Sequence, residues 1–508
     1  MYFRLLNRWL EDCDKNHTGC RPTTAELSLF RTPTRLLDVG ETGSPSVHLV
    51  ETKSWETCQD RCLKYIAVSH PWGEQTEHTH YCTTSSNINR HKAGIPIDIL
   101  PNTFRDAIQV TRELGVRYLW IDSLCIVQGK DGDFSEEAIH METVFSSAYC
   151  VIAATCAKGM SSGFLGARKD RNVIKVEKPG ESPLYICEFI DHFQREVIEG
   201  PLNQRGWVLQ ERALARRTIY FAESQTYWEC GEGVRCETLA RMRNNQADLL
   251  GDPKFPKVAT ESTKGGRIRL YELLYKQYSR LRFTNIYDRP LAIAGIEQRL
   301  IRAFDTQGGY GVFTRYFGRG LLWQRDTASA PPGVMEPIRF PRRPQVCRVP
   351  SWSWMAYEGA IAFMNLPFGE IDWEERELRS PWDPAHLGLG SSSLSSSRPN
   401  NSSNSTWHTA DANGGAGLTV IARDFSASAD AYLVYDRGDR PDDHIVKCVI
   451  VGKRKGMTET DGERIYYVLI IAREQGSGLN VGYKRIGVGS LPGSLITLEE
   501  AGLRVQVL

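Results

Sequence analysis

Tyr65-Ile-Ala-Val-Ser69 and Tyr118-Leu-Trp-Ile-Asp122, with the helical pattern between them, decide the fold of this chain. Each run is short and apolar on both faces, as a strand buried in a parallel sheet must be. Pro71 and Gly73 stop the first run. Leu100-Pro-Asn-Thr103 then opens a helix, with Asn102 or Thr103 as its N-cap. Phe104, Ala107, Ile108, Thr111 and Leu114 recur at helical spacing, and Gly115 supplies the stop. A second helix is predicted from about Phe134 to Ser147, with Phe134, Ala138, Met141 and Phe145 on one face. Tyr149 to Ala154 makes a third strand. Alternation of strand and helix at this spacing implies right-handed crossovers, so the three strands should be parallel neighbours in one sheet. The fold class is α/β.

Outward from this core the pattern changes. Ile219 to Cys236 reads as strand, Arg267 to Arg282 as helix, and Tyr287 to Leu300 as a further helix with Pro290 in its first turn. Gly388 to Gly417 is dominated by Ser, Asn and Gly, which bury too little apolar surface to offset the entropy of ordering, so it reads as a flexible linker. Leu418 to Ala422, Ile445 to Val451 and Ile465 to Ile471 are strand-like. The expected organisation is an N-terminal segment (1–60), an α/β core (61–215), an α+β extension (216–387), the linker (388–417) and a β-rich terminal unit (418–508).

A chain of 508 residues exceeds one comfortable core, and 41% hydrophobic with 24% charged residues is ordinary globular composition. The net charge of +1 gives no global field to draw the chain to nucleic acid. Met1 to Leu10 alternates apolar and basic groups without the apolar core of a secretory signal, and no run approaches the ~20 apolar residues of a spanning helix. A cytoplasmic protein is therefore expected, with most of its thirteen cysteines as thiols.

Three segments together resemble the heterokaryon incompatibility (HET) domain family. They are Tyr65-Ile-Ala-Val-Ser-His-Pro-Trp-Gly73, with His70 where the family usually has Tyr; the block from Leu100 to Arg168; and Pro201-Leu-Asn-Gln-Arg-Gly-Trp-Val-Leu-Gln-Glu211. Trp9, Cys13, His17 and Cys20 ahead of the domain and Pro350-Ser-Trp-Ser-Trp354 after it agree. The resemblance implies a role in fungal nonself recognition and programmed cell death, through a protein partner or self-association. It also implies remote kinship with Toll/interleukin-receptor (TIR) domains, some of which hydrolyse NAD with a glutamate that opens a helix. Phe134 and Glu137 stand where TIR sequences often carry a tryptophan and that glutamate, which makes NAD a candidate substrate and the chain an NAD glycohydrolase in the alternative reading.

Open α/β sheets bind ligands beyond their strand C-termini, which brings Asp122 and the group Ser69, His70 and Trp72 to one edge. Asp122 is a candidate to orient a ribose hydroxyl or to hold an arginine such as Arg205; its plainer role is to cap or pair in the loop that follows. Trp72 is a candidate to stack on a nicotinamide or adenine, and otherwise a packing anchor. Glu137 is the candidate catalytic carboxylate, or simply a first-turn acid favoured by the helix dipole. Arg205, Gln210, Glu211 and Arg212 crowd around Trp207; an arginine fork with a carboxylate there could bind a phosphate, and the plainer use is a structural network. Gly159-Met-Ser-Ser-Gly163 has nucleophile-elbow spacing, but no amphipathic helix follows it. Burial should raise the pKa of Cys125 and exclude it as a nucleophile. Cys13-x3-His17-x2-Cys20 offers three metal ligands where structural zinc wants four; no neighbouring His or Cys completes a familiar spacing, though Cys58 and Cys62 could fold back, and no metal is assigned.

Overall fold

A computed structural model describes the chain except residues 1, 24–30, 53–62, 74–80, 169–170, 178, 181, 243, 245–249, 262, 329–333, 342–348, 383–416, 429–430, 439–444, 457–459, 461 and 475–481. The linker expected over 388–417 lies outside the described residues apart from Gly417, as do Cys58 and Cys62. The chain divides into two units: Met1–Ala259 with Leu291–Ile296, and Thr260–Pro290 with Glu297–Leu508.

The first unit is built on a ten-stranded sheet. Its elements are helix α1 (Tyr2–Asn16), strands β1 (Arg35–Asp38), β2 (Ser46–Glu51), β3 (Tyr65–Ser69) and β4 (Ile95–Pro96), helix α2 (Asn102–Glu113), β5 (Tyr118–Trp120), helix α3 (Phe134–Ser147), β6 (Cys150–Ala153), helix α4 (Gly206–Leu214), and strands β7 (Arg217–Phe221), β8 (Thr226–Cys230), β9 (Gly233–Cys236) and β10 (Arg241–Met242). The strand order is β10-β9-β8-β7-β6-β3-β5-β1-β2-β4. The four central strands β7, β6, β3 and β5 are parallel, with Ala67 opposite Trp120 on one side and Val151 on the other. Every residue of β3 and β6 is buried, as two-sided apolar runs demand. The strands added at both ends pair antiparallel. The three predicted parallel neighbours are thus found, with β3 between the other two. Because the chain passes from β3 to β5 and then crosses to β6 on the far side of β3, the winding reverses between β3 and β6.

Local details differ from expectation. Helix α2 starts at Asn102, and neither Asn102 nor Thr103 caps it. The Asn102 amide donates instead to the Ser161 carbonyl at 2.9 Å, and the Thr103 hydroxyl to the Gly159 carbonyl at 2.8 Å. Their polarity anchors the Gly159–Gly163 loop to the helix. Gly115 does end the helix, at φ +67°. Strand β5 stops at Trp120, and Asp122 begins a helical turn, Asp122–Cys125. The predicted helix Tyr287–Leu300 is broken into 3-10 turns at Ile286–Asp288 and Leu291–Ile293 before a helix at Ala294–Phe304. Pro290 has no N–H to give the ladder.

Helix α1 buries Leu6, Trp9, Leu10 and Cys13, spaced to share one face. Polar pairs fix it to the strands β7 to β9: Tyr2 to Thr226 at 2.6 Å, Asp14 to Arg217 at 2.7 Å and Asp12 to Arg235 at 2.6 Å. Between β6 and β7 a separate hairpin, Val173–Val176 with Leu184–Cys187, has every strand residue exposed.

The second unit includes helix α5 (Lys264–Ser279) and strands β11 (Ile371–Trp373), β12 (Leu418–Arg423), β13 (Tyr432–Tyr435), β14 (Val446–Arg454), β15 (Ile465–Arg473), β16 (Tyr483–Pro492) and β17 (Leu503–Val507). Pairing runs β14-β12-β17-β16-β15 and back to β14, a closed circuit of five strands. The circuit closes between β16 and β17 through the pair Tyr483 and Val507. Arg485 is buried in this unit, paired with Asp436 at 3.1 Å and stacked on the Trp323 ring at 3.2 Å.

Candidate functional site at the sheet edge

Ser69 and His70 leave β3 where the winding reverses, which is where open α/β sheets present their crevice. Both side chains are buried. The His70 ring meets Phe104 of α2 edge-on at 5.3 Å, and its Nδ1 lies 4.0 Å from Asp122 Oδ1. The Trp72 indole N–H donates to Asp122 Oδ2 at 2.6 Å, and the Ser123 amide to Asp122 Oδ1 at 2.7 Å. The edge therefore brings together Ser69, His70, Trp72 and Asp122. Asp122 is oriented by Trp72 and by the first amide of its own helical turn.

Helix α4 adds a carboxyl that sequence reasoning left in the group around Trp207. The Glu211 carboxyl, its Oε2 sealed from solvent, lies within reach of Ser69, Asp122 and Arg205. Burial, opposed by the Ser69 hydroxyl and the Arg205 guanidinium and aided by Asp122, pushes its pKa up to about 7. Arg205 thus acts on Glu211 from the N-terminal end of the same helix. This edge can hold a proton near neutral pH on Glu211 beside a charged carboxylate and an imidazole. That combination suits proton transfer or recognition of hydroxyl-rich ligands. Adjacent residues do other work. Gln210 accepts from the Gly295 amide at 2.9 Å, while Arg212 and Glu229 form a buried pair at 3.3 Å, with the Tyr220 hydroxyl 2.6 Å from Glu229.

Glu137 lies half-buried in the first turn of α3, and its charge acts on the Cys125 thiol. Phe134, at the start of the same turn, packs edge-on against Trp207 of α4 at 5.9 Å. Burial raises the Cys125 pKa to about 12, which keeps it a thiol. Ser161 is exposed, and turns and bends rather than a helix follow it through Gly166, so the elbow geometry of a serine hydrolase is not formed.

Away from this edge, the position left open by Cys13, His17 and Cys20 is filled by Cys230, at the end of β8; the four ligand atoms lie within 4.8 Å of one another. The fourth group arrives from 210 residues downstream of Cys20, beyond the reach of any spacing rule.

Residues 65–211, which run from the start of β3 to Glu211, match the family model described as heterokaryon incompatibility protein (HET). A Neurospora crassa protein, heterokaryon incompatibility protein 6, OR allele, is 33% identical over 94 residues, covering 17% of this chain and 14% of that protein. No solved structure matches. The chain thus spans only a small part of the curated relative it resembles, and residues 65–211 carry three of the four parallel strands and the candidate edge. Over residues 65–211, the chain is similar to the HET family.

Proposed function

We propose that this protein acts in fungal heterokaryon incompatibility, recognising nonself and signalling programmed cell death through contacts between protein chains. The observation that carries the contact mechanism is the hairpin Val173–Val176 and Leu184–Cys187 inside the HET segment. Ile174, Leu184, Tyr185 and Ile186 are each more than half exposed, and Phe189 just beyond is 66% exposed. An isolated two-stranded hairpin is marginal in water, and contiguous exposed apolar groups mark interaction surfaces. Its two edges also leave backbone donors and acceptors ready to pair with another strand. A second copy of the chain presents the same edges and the same apolar groups, so a symmetric contact is self-complementary. Light scattering across a concentration series tests this. The wild type should associate, and Ile174→Glu with Ile186→Glu should remain monomeric at an unchanged melting temperature. A wild type that stays monomeric throughout, or a variant that associates equally, refutes the hairpin contact.

A second reading draws on the sheet edge: a TIR-like NAD glycohydrolase with Glu137 and Asp122 catalytic and Ser69, His70, Trp72 and Arg205 binding the dinucleotide. A carboxylate would stabilise the oxocarbenium-like state as the nicotinamide bond breaks and water attacks. On this reading Glu137→Gln abolishes nicotinamide release with little change in stability, because the helix-dipole contribution is only ~0.3–1 kcal/mol. Asp122→Asn should impair turnover and also cost stability, since Asp122 holds Trp72 and Ser123. Full turnover in a folded Glu137→Gln protein removes that residue from the chemistry.

A further inference from the structure

We infer that Cys13, His17, Cys20 and Cys230 form a structural zinc site that fastens the N-terminal helix to the sheet. All four residues are buried, and one ligand atom from each lies within 4.8 Å of the other three. A tetrahedral zinc with Zn–S of ~2.3 Å and Zn–N of ~2.0–2.1 Å sets its ligand atoms roughly 3.4–3.8 Å apart. The His17 Nδ1 to Cys230 Sγ distance of 3.4 Å already falls at that spacing.

The local backbone explains the arrangement. Cys13 and His17 are four residues apart at the end of α1, which puts them on one face, and the His17 amide donates to the Cys13 carbonyl at 3.2 Å. The 3-10 turn Thr18–Cys20 then brings the third group back under the helix end. Cys230 closes the set from the last position of β8. Gly231 makes room for it: a Cβ there would meet Cys20 Sγ at 3.2 Å and Pro253 Cγ at 2.6 Å. The far nitrogen of His17, Nε2, lies 3.8 Å from Asp12 Oδ2 and 3.3 Å from the Arg235 guanidinium, which itself pairs with Asp12. Asp12 thus stands behind the imidazole at ion-pair rather than hydrogen-bond distance, on the side where a ligating histidine takes its outer partner.

The donor set decides the class of site. Three thiolates and one imidazole suit zinc, and four protein ligands leave no open position for catalysis. Binding forms three Zn–S bonds and one Zn–N bond and releases the three thiol protons to solvent. The resulting centre carries one net negative charge, and the buried Arg217 guanidinium lies within electrostatic reach of Cys13.

The test uses the full chain. Protein purified without chelator should carry about one zinc per molecule by elemental mass spectrometry. Replacement by cobalt should give the visible bands of tetrahedral thiolate coordination. Chelation should lower the melting temperature, and added zinc should restore it. Cys230→Ser should lose the metal, Asp12→Ala should weaken zinc binding by ~10–100-fold, and Cys448→Ser, in the other unit, should keep it. If Cys230→Ser does not fold, the wild-type cobalt spectrum decides alone. Metal-free protein that neither binds cobalt nor responds to zinc overturns the proposal, as does a disulfide among the three cysteines found by alkylation and mass spectrometry.

Discussion

A carboxyl sealed against Ser69 loses its proton later than one in water, and this gives Glu211 a measurable signature. Its pKa in the folded chain is about 7, above the ordinary glutamate value of 4.5, chiefly because burial disfavours the charged form. Between those values the folded chain keeps a proton that the unfolded chain has released. Stability therefore falls as pH rises from about 4.5 through about 7 and stays at the lower level above. Glu211→Gln removes this contribution, so chemical denaturation should show a flatter pH profile, with the variant gaining up to ~3 kcal/mol over wild type at pH 8. Identical profiles for the two proteins would mean that Glu211 is solvated. At this scale the sequence made four of the edge residues legible, because Ser69, His70, Trp72 and Asp122 sit at or just past the ends of recognisable strands. Glu211 and Cys230 were not legible as partners. Each meets its group through tertiary packing, and neither lies in a local pattern that names the other members.

The elements that sequence reasoning located well are those whose burial fixes their pattern. Strands β3, β5 and β6 must be apolar on both faces, and α2 and α3 must keep one apolar stripe, so their periodicity leaves one choice. Elements whose stability comes from elsewhere were not legible. Strands β4 and β10 have two residues each and exist only by pairing with a neighbour. The antiparallel additions on both sides of the parallel strands leave no signature beyond ordinary strand composition. Asn102 and Thr103 have the chemistry of caps, but the side-chain oxygens that would cap accept instead from the Arg105 guanidinium and the Gly163 amide. Asn172-Val-Ile-Lys-Val176 has strand composition, yet nothing local tells that its apolar groups stay exposed. That exposure is a property of the folded surface and the reason the hairpin enters the functional proposal.

On the scale of the whole molecule, the α/β core and the β-rich terminal strands follow from composition and period, whereas the closed five-strand circuit needs pairings that span most of 418–508. No helix among the described residues is long and apolar enough to cross a membrane. We propose that the HET segment signals by bringing chains together, not by turning over NAD. Expression in a fungal host, scored for cell death, tests it with three proteins: wild type, Ile174→Glu with Ile186→Glu, and Glu137→Gln. The account predicts that wild type and Glu137→Gln kill alike while the hairpin variant, present at equal level, does not. Death that persists in the hairpin variant but vanishes in Glu137→Gln would contradict it.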